Sequence, residues 1–283
     1  MKQKNAQPKL TRLLDAMSWV FAWGCALLIV LAAGLLIYST LSAGIGQVNW
    51  DFITQEPSDS GREGGIAPII LSTALIIGVC LIATIPLGLG TAIYLSEFSS
   101  HRSKIGRWIR FSLDVLAGVP SIVFGLFGNA FFCITLGMGY SILSGGLTLA
   151  CMVLPIYIRV AETSLRQVTA EYRYASATLG LSKWTSITRI IVPAALPGLL
   201  AAFTLGLARA LAETAALIFT SGYVTRYPES LFDSGRSLSV HIYDLALNVT
   251  GGNERAFATA AILIVTLLVI NAATHLLTRL IRN

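Results

Sequence analysis

Apolar runs about as long as a bilayer is thick recur along this chain and leave little freedom in what it can fold into. They lie at about Trp19–Ala43, Ile69–Leu95, Phe111–Thr135, Ile142–Val160, Ala194–Ser221 and Phe257–Leu277. About 20 apolar residues cross the hydrocarbon core as a helix, and lipid accepts only segments that satisfy their own backbone. Composition agrees, since 55% of the residues are hydrophobic and 12% are charged, about half the charged share of a soluble domain. The expected fold is therefore an all-α integral membrane protein with six transmembrane helices. Pro86 with Gly88 marks the second run for a kink.

The chain begins with a basic, polar stretch, Met1 to Arg12, followed by an apolar run from about Met17 to Ile45. That run exceeds the roughly 7–15 apolar residues of a secretory signal. Despite the small residues of "STLSAG", an uncleaved first helix is expected. Basic residues then set the orientation. Lys2, Lys4, Lys9, Arg12, Arg102, Lys104, Arg107, Arg110, Arg159, Arg166, Arg173, Lys183, Arg189, Arg279 and Arg282 all fall on one side. The other side receives Arg62, Arg226, Arg236 and Arg255, together with most of the acids, and Arg209 falls on neither. The positive-inside rule puts both termini in the cytoplasm. The net charge of +6 is thus a topology signal and no argument for nucleic acid.

The two long external loops differ in promise. Gly46 to Gly65 is rich in Gly, Pro and acids and is expected to be irregular. In Gly222 to Arg255, Leu238, Ile242 and Leu245 are spaced as one face of a short helix lying on the surface. Cys25, Cys80, Cys133 and Cys151 are scattered through apolar stretches with no C-x-x-C spacing and are expected to be small core residues. Gly24, Gly34 and Gly78 favour close helix packing.

The fifth run carries a full positive and a full negative charge. Arg209 lies within about two residues of its centre, about 3 Å along a helix axis, and Glu213 follows one turn later. A central Arg costs about 2.5–3.5 kcal/mol on insertion scales. A purely structural pair is the bland explanation, yet Arg before Glu is the weaker i,i+4 order. Two apolar residues would also be at least as stable. An intramembrane ion pair marks a pathway, and a guanidinium is suited to a phosphate-like anion. Glu213 would then restrain Arg209 so that the anion can leave as well as enter. Asp114, at the start of the third run, is expected to neutralise Arg107 or Arg110 or to cap a helix. His275 is expected at an interface, and His101 and His241 in loops.

Between the fourth and fifth runs, Arg159 to Gly198 has a two-helix pattern on the basic side. Glu162 and Arg166 form an i,i+4 pair in the favoured order. A helix over about Glu171–Leu179 stops at Gly180. Ser182 caps a further piece whose apolar face holds Trp184, Ile187 and Ile190 or Ile191. Such a projection can be gripped by another protein, or its apolar face can rest on lipid headgroups.

This loop resembles the cytoplasmic coupling motif of ABC importer permeases: E-A-A, three residues, G, nine residues, I-x-L-P. Gly180, Ile190 and Pro193 stand at the required spacing and Ala175 matches the first Ala. Tyr174 replaces the Glu, Ser176 the second Ala and Val192 the Leu. With "VPSIVFGLFG", "LPIYIRVAETSLRQV" and "ARALAETA", the chain resembles phosphate importer permeases of the PstA type over nearly its whole length. The PstC type typically has Met where Ala215 stands.

The resemblance implies a type I importer fold. Residues 1–65 would hold the N-terminal tail, first helix and external loop, and residues 66–283 a five-helix core with a coupling loop at about 161–193. It implies Arg173, Tyr174, Ala175, Ser176, Gly180, Ile190 and Pro193 as the ATPase-coupling element, and Arg209 and Glu213 as the substrate pathway. It further implies a heterodimer with a PstC-type permease, two PstB-type ATPase subunits that use ATP and Mg, and an external phosphate-binding protein. No catalytic residue, metal or cofactor is expected on this chain, and ATP hydrolysis is expected on a separate subunit because the chain lacks a G-x-x-x-x-G-K-[ST] loop. The alternatives are the paired PstC-type permease or a permease for phosphonate, molybdate or sulfate. A stand-alone carrier would call for internal repeats or broken helices, and an intramembrane enzyme for a motif such as H-E-x-x-H; the sequence displays none of these.

Overall fold

A computed structural model describes residues 9–100 and 103–282. Lys2, Lys4, His101 and Arg102 lie outside the described residues. The α-helices are α1 (Lys9–Gly44), α2 (Trp50–Thr54), α3 (Ala67–Ile93), α4 (Lys104–Ala117), α5 (Ser121–Gly128) and α6 (Ile142–Gln167), followed by α7 (Ala170–Thr178), α8 (Lys183–Ser186), α9 (Val192–Leu211), α10 (Ala215–Ile218), α11 (Leu238–Leu247) and α12 (Asn253–Arg282). π-Helical turns extend α3 over Tyr94–Phe98 and α5 over Asn129–Thr135, and Ile187–Ile191 joins α8 to α9.

Among the described residues, five rods are long and apolar enough to cross a membrane: Met17–Gln47, Ala67–Phe98, Ile142–Gln167, Lys183–Leu211 and Asn253–Leu280. The third expected span begins later than its hydropathy suggests. α4 is turned by 102° from Ser121–Thr135. The turn falls at Gly118 and Pro120, because proline offers no N–H and forces its predecessor out of the helical region. Pro86, by contrast, leaves Ala67–Phe98 a single rod.

α6 is the central post. Its residues Leu149, Val153, Ile158, Ala161 and Leu165 are buried with Ile76 and Cys80 of α3 and Ala195 and Ala202 of α9. α5 closes on this post and on α10 through glycine. A Cβ at Gly128 would fall 2.1 Å from Thr148 Oγ1, and one at Gly125 2.9 Å from Ala216 Cα. Gly24, Gly34 and Gly78 meet nothing within 4 Å, so among the described residues their small size serves no packing inside this chain. α1 is largely exposed, with Cys25 on its surface, while Cys80 and Cys133 are buried.

The loops on the acidic face are ordered. Gly46–Gly65 contains α2 and a two-residue antiparallel pairing, Pro57–Ser58 with Glu63–Gly64. The last long loop supplies the acceptors that the start of α6 lacks: Ile142 N–H donates to Asp233 O and Leu143 N–H to Leu231 O. α11 is packed inward, with Leu238, Val240, His241 and Leu245 buried. It is therefore a wedge beneath the loop and not a helix on the surface, and His241 is helical.

Candidate functional site: a mid-depth helix break and a basic-face docking loop

The fifth span is not continuous. α9 ends at Leu211, Ala212–Thr214 are non-helical, and α10 restarts the helix for a single turn. Arg209 therefore sits in the last turn of its own helix and not at its centre. With the start of α6 at the edge of the hydrocarbon core, the depth of Arg209 is nonetheless central. Nη2 lies 3.7 Å from the sulfur of Met152, ten residues into α6, about 15 Å from the start of that helix. Half the roughly 30 Å of a hydrocarbon core is the same distance.

Glu213 holds the break. One carboxylate oxygen, Oε2, is 3.2 Å from Arg209 Nη1, and Oε1 accepts from Ala216 N–H at 3.3 Å. The same side chain thus neutralises a cation and caps α10. From α11, Ser239 Oγ donates to the Glu213 carbonyl. Non-helical backbone at such depth persists only when protein or a watery cavity satisfies it, and these bonds do so. The two charges are not equivalent, because the Glu213 side chain is 4% exposed and that of Arg209 42%. The guanidinium keeps an open edge, with a thioether as its only other partner among the described residues.

Behind α11, Arg236 bonds Asp244 Oδ2 at 2.9 Å and Tyr223 O at 2.9 Å, with Nη1 3.4 Å from His241 Nδ1. Burial, aided by the Arg236 charge, pushes the His241 pKa down to about 3. The ring stays neutral and accepts at Nδ1. Its Nε2 faces Gly61 of the first loop with no hydrogen-bond partner.

Around Leu95, Glu97 and Glu162 on the basic face, the guanidiniums of Arg110, Arg166 and Arg173 are saturated. The π-turn at Tyr94–Phe98 sends Ser99 N–H to Tyr94 O, which leaves Leu95 O to other donors. Arg110 and Arg166 both take it, and both also bond Glu162 Oε1, at 2.9 Å and 3.0 Å. The expected Glu162–Arg166 pair is therefore present, with a third member. Asp114 pairs with Arg159 and not with Arg107 or Arg110, because the bend carries it against α6. Arg173 forks onto Glu97, Nη2 to Oε1 at 2.7 Å and Nε to Oε2 at 3.3 Å, and also donates to the carbonyls of Val168 and Leu165. Lys183 Nζ adds a bond to Glu97 O at 2.7 Å.

The residues expected to couple to an ATPase divide in two. Tyr174, Ala175, Gly180 and Pro193 are exposed, and Ile190 is half-buried. Gly180 has φ +67°, the left-handed cap that only glycine takes without strain. Ser182 caps α8 by accepting from Thr185 N–H at 3.2 Å. Arg173 and Ser176 are turned inward instead. Ser176 Oγ donates to Arg173 O and accepts from Ser186 Oγ at 2.7 Å, joining α7 to α8. The expected apolar face of α8 splits, with Ile187 and Ile191 buried and Trp184 exposed, as are Tyr172, Tyr174 and Leu179 of the preceding helix and turn. Glu97 has no signature in the sequence. Only a lone acid at the end of an apolar run hinted at it.

The profile of the binding-protein-dependent transport system inner membrane components matches residues 84–283. A Bacillus subtilis (strain 168) protein named as the probable ABC transporter permease protein YqgI is 30% identical over 271 residues, covering 90% of this chain and 92% of its own. The phosphate transport system permease protein PstA 1 of Mycobacterium tuberculosis (strain ATCC 25618 / H37Rv) is 37% identical over 216 residues, 76% of this chain and 70% of that protein. Among solved structures, a chain of a bacterial alginate ABC transporter aligns with a TM-score of 0.66 at 15% identity over 96% of both chains. A chain of the MetNI methionine ABC transporter, in an inward facing conformation, aligns at 0.58 and 16% identity over 76% of this chain and 96% of that one. At such identities the likeness carries the fold alone, that of a type I ABC importer permease.

Proposed function

Because the chain belongs to the binding-protein-dependent transport system inner membrane components, we propose that it is one permease subunit of an ATP-driven importer of inorganic phosphate. Membership implies an ATPase and a substrate-binding protein as partners. The similarity to PstA permeases supports phosphate as cargo and a PstC-type permease as the second half of the pathway. Two PstB-type ATPase subunits would use ATP and Mg on the basic side, so that both termini are cytoplasmic, as the charge bias argues.

The observation that carries this reading is the half-exposed guanidinium of Arg209 at mid-depth. A charge there is costly against lipid, so its open edge calls for a second permease chain across from it and an aqueous path between. Arg209 offers paired donors to a phosphate oxygen. Glu213, fixed by Ala216 N–H, limits how tightly that anion is held. The exposed Tyr174, Ala175, Gly180 and Pro193 meet the ATPase, while Arg173 and Ser176 stiffen the loop that carries them. ATP-driven closure moves this loop, opens the spans toward the binding protein, and lets phosphate pass Arg209 inward.

The test is phosphate uptake by the complete transporter in proteoliposomes. Arg209→Gln is expected to lower uptake at least tenfold while complex assembly and basal ATP hydrolysis persist. Undiminished uptake would return the ion pair to a structural role. Uptake without the ATPase subunits would refute coupling.

A further inference from the structure

We propose that the outward face of α4 is a binding surface for an anionic phospholipid headgroup in the leaflet at the basic face. The bend of 102° sets α4 nearly perpendicular to Ser121–Thr135, so with that segment upright α4 lies along the membrane plane. Its inner side is spent on the protein. Leu113 and Gly106 are buried, the latter so close to Ser99 that an added Cβ would fall 1.9 Å from its Oγ.

The opposite side presents Ile105, Trp108, Phe111 and Val115, each more than half exposed. Trp108 and Phe111 meet edge to face at 6.2 Å. An amphipathic helix with an aromatic outer face, attached at the end of a span, belongs at the boundary between headgroups and acyl chains.

The charges on α4 select the headgroup. Arg110 is taken up by Glu162 and Asp114 by Arg159. Lys104 and Arg107 are exposed and have no carboxylate partner among the described residues. Arg107, Trp108 and Phe111 line a shallow cavity of about 290 Å³, which combines a cation with two aromatic rings. In the elbow of the bend, Leu113, Leu116, Val119, Val123, Phe127 and Leu154 help to line a larger apolar cavity of about 510 Å³ that suits an acyl chain. Exposed Ile122, Val123 and Leu126 continue this apolar surface along α5. A soluble protein would not need so much apolar surface beside unpaired cations on a lipid-facing helix, whereas a phospholipid uses both, the cations for its headgroup and the apolar surface for its chains.

The experiment places a photo-crosslinking side chain at position 108 of the assembled transporter. The complex is reconstituted in phosphatidylcholine vesicles containing 20% phosphatidylglycerol, a proportion set by design, and adducts are identified by mass. Expected are phosphatidylglycerol adducts enriched over that proportion. Arg107→Gln or Lys104→Gln should lower the enrichment by about fivefold each, the effect of one basic residue at an anionic surface. Adducts in simple proportion to vesicle composition overturn the proposal, as do adducts mainly to a partner subunit. Displacement of the lipid by millimolar inorganic phosphate would also overturn it, by making the surface a site for the free anion.

Discussion

Two arginine sites in this molecule obey opposite rules. At Leu95, Glu97 and Glu162 every guanidinium is filled: Arg110, Arg166 and Arg173 each hold a carboxylate and at least one carbonyl. At the helix break, Arg209 holds one carboxylate oxygen at 3.2 Å and a thioether, and leaves an edge open. Saturation fixes helices to one another. An unfilled fork, kept from collapsing by a buried Glu213 that is itself occupied by Ala216 N–H, retains capacity for a ligand. Side-chain charge is the same in both places, and what separates structure from recognition is how many acceptors the fold has already supplied.

The contrast is most severely tested by removing Glu162. Its side chain is 7% exposed and serves two arginines, and breaking a buried pair costs about 3–5 kcal/mol. Glu162→Ala is therefore expected to lower the thermal stability and yield of the assembled complex, read by its unfolding temperature. An unchanged temperature would show that the basic-face lattice does not hold the helices. The loss should exceed that of Arg209→Gln, whose effect is on uptake.

A smaller effect is expected from Glu97→Gln. Arg173 keeps its two carbonyls, so about 1.5–3 kcal/mol of charge-assisted bonding to one carboxylate is at stake. The docking loop then loosens from the end of α3. More ATP should be hydrolysed per phosphate imported, measured by parallel hydrolysis and uptake assays. An unaltered ratio would make Glu97 a bystander to coupling.

The smallest effect belongs to the acidic face. His241 has its pKa depressed to about 3 from an ordinary 6.5, so the unfolded chain binds the proton that the folded one refuses. Its contribution to stability is complete above about pH 6.5 and declines as pH falls toward 3. The hydrogen-exchange protection factors of α11, taken relative to the intrinsic rate at each pH, should fall over that range, and His241→Gln should flatten the dependence. Identical profiles for the two proteins would argue against a neutral, buried imidazole.

Much of this architecture is legible in the sequence, because hydropathy, caps and charge bias are local. The spans, the stop at Gly180 and the cap at Ser182 all follow from residues within a few positions of each other. The bend before Ser121 has its Gly118 and Pro120 in plain view, but the apolar run around them disguises a helix lying flat. The break at Ala212–Thr214 has no such mark. "AETAA" contains neither glycine nor proline, and the interruption depends on Glu213 capping Ala216 and on Ser239 arriving from α11. The Glu97–Arg173 fork spans 76 positions, a distance over which charge patterns carry no pairing information. Arg209 and Glu213 are legible for a different reason, since charges in oil are conspicuous wherever they lie.

The π-turn at Ile187–Ile191 has a consequence for how such proteins can diverge. A π-turn holds one residue more than an α-turn, and an α-helix advances about 100° per residue. Deleting a single residue there would restore ordinary winding and swing α7 and α8 about the axis of α9, leaving Arg209 untouched. A lineage could thus re-aim the loop that carries α7 and α8 by losing one codon, with the surroundings of Arg209 left as inherited.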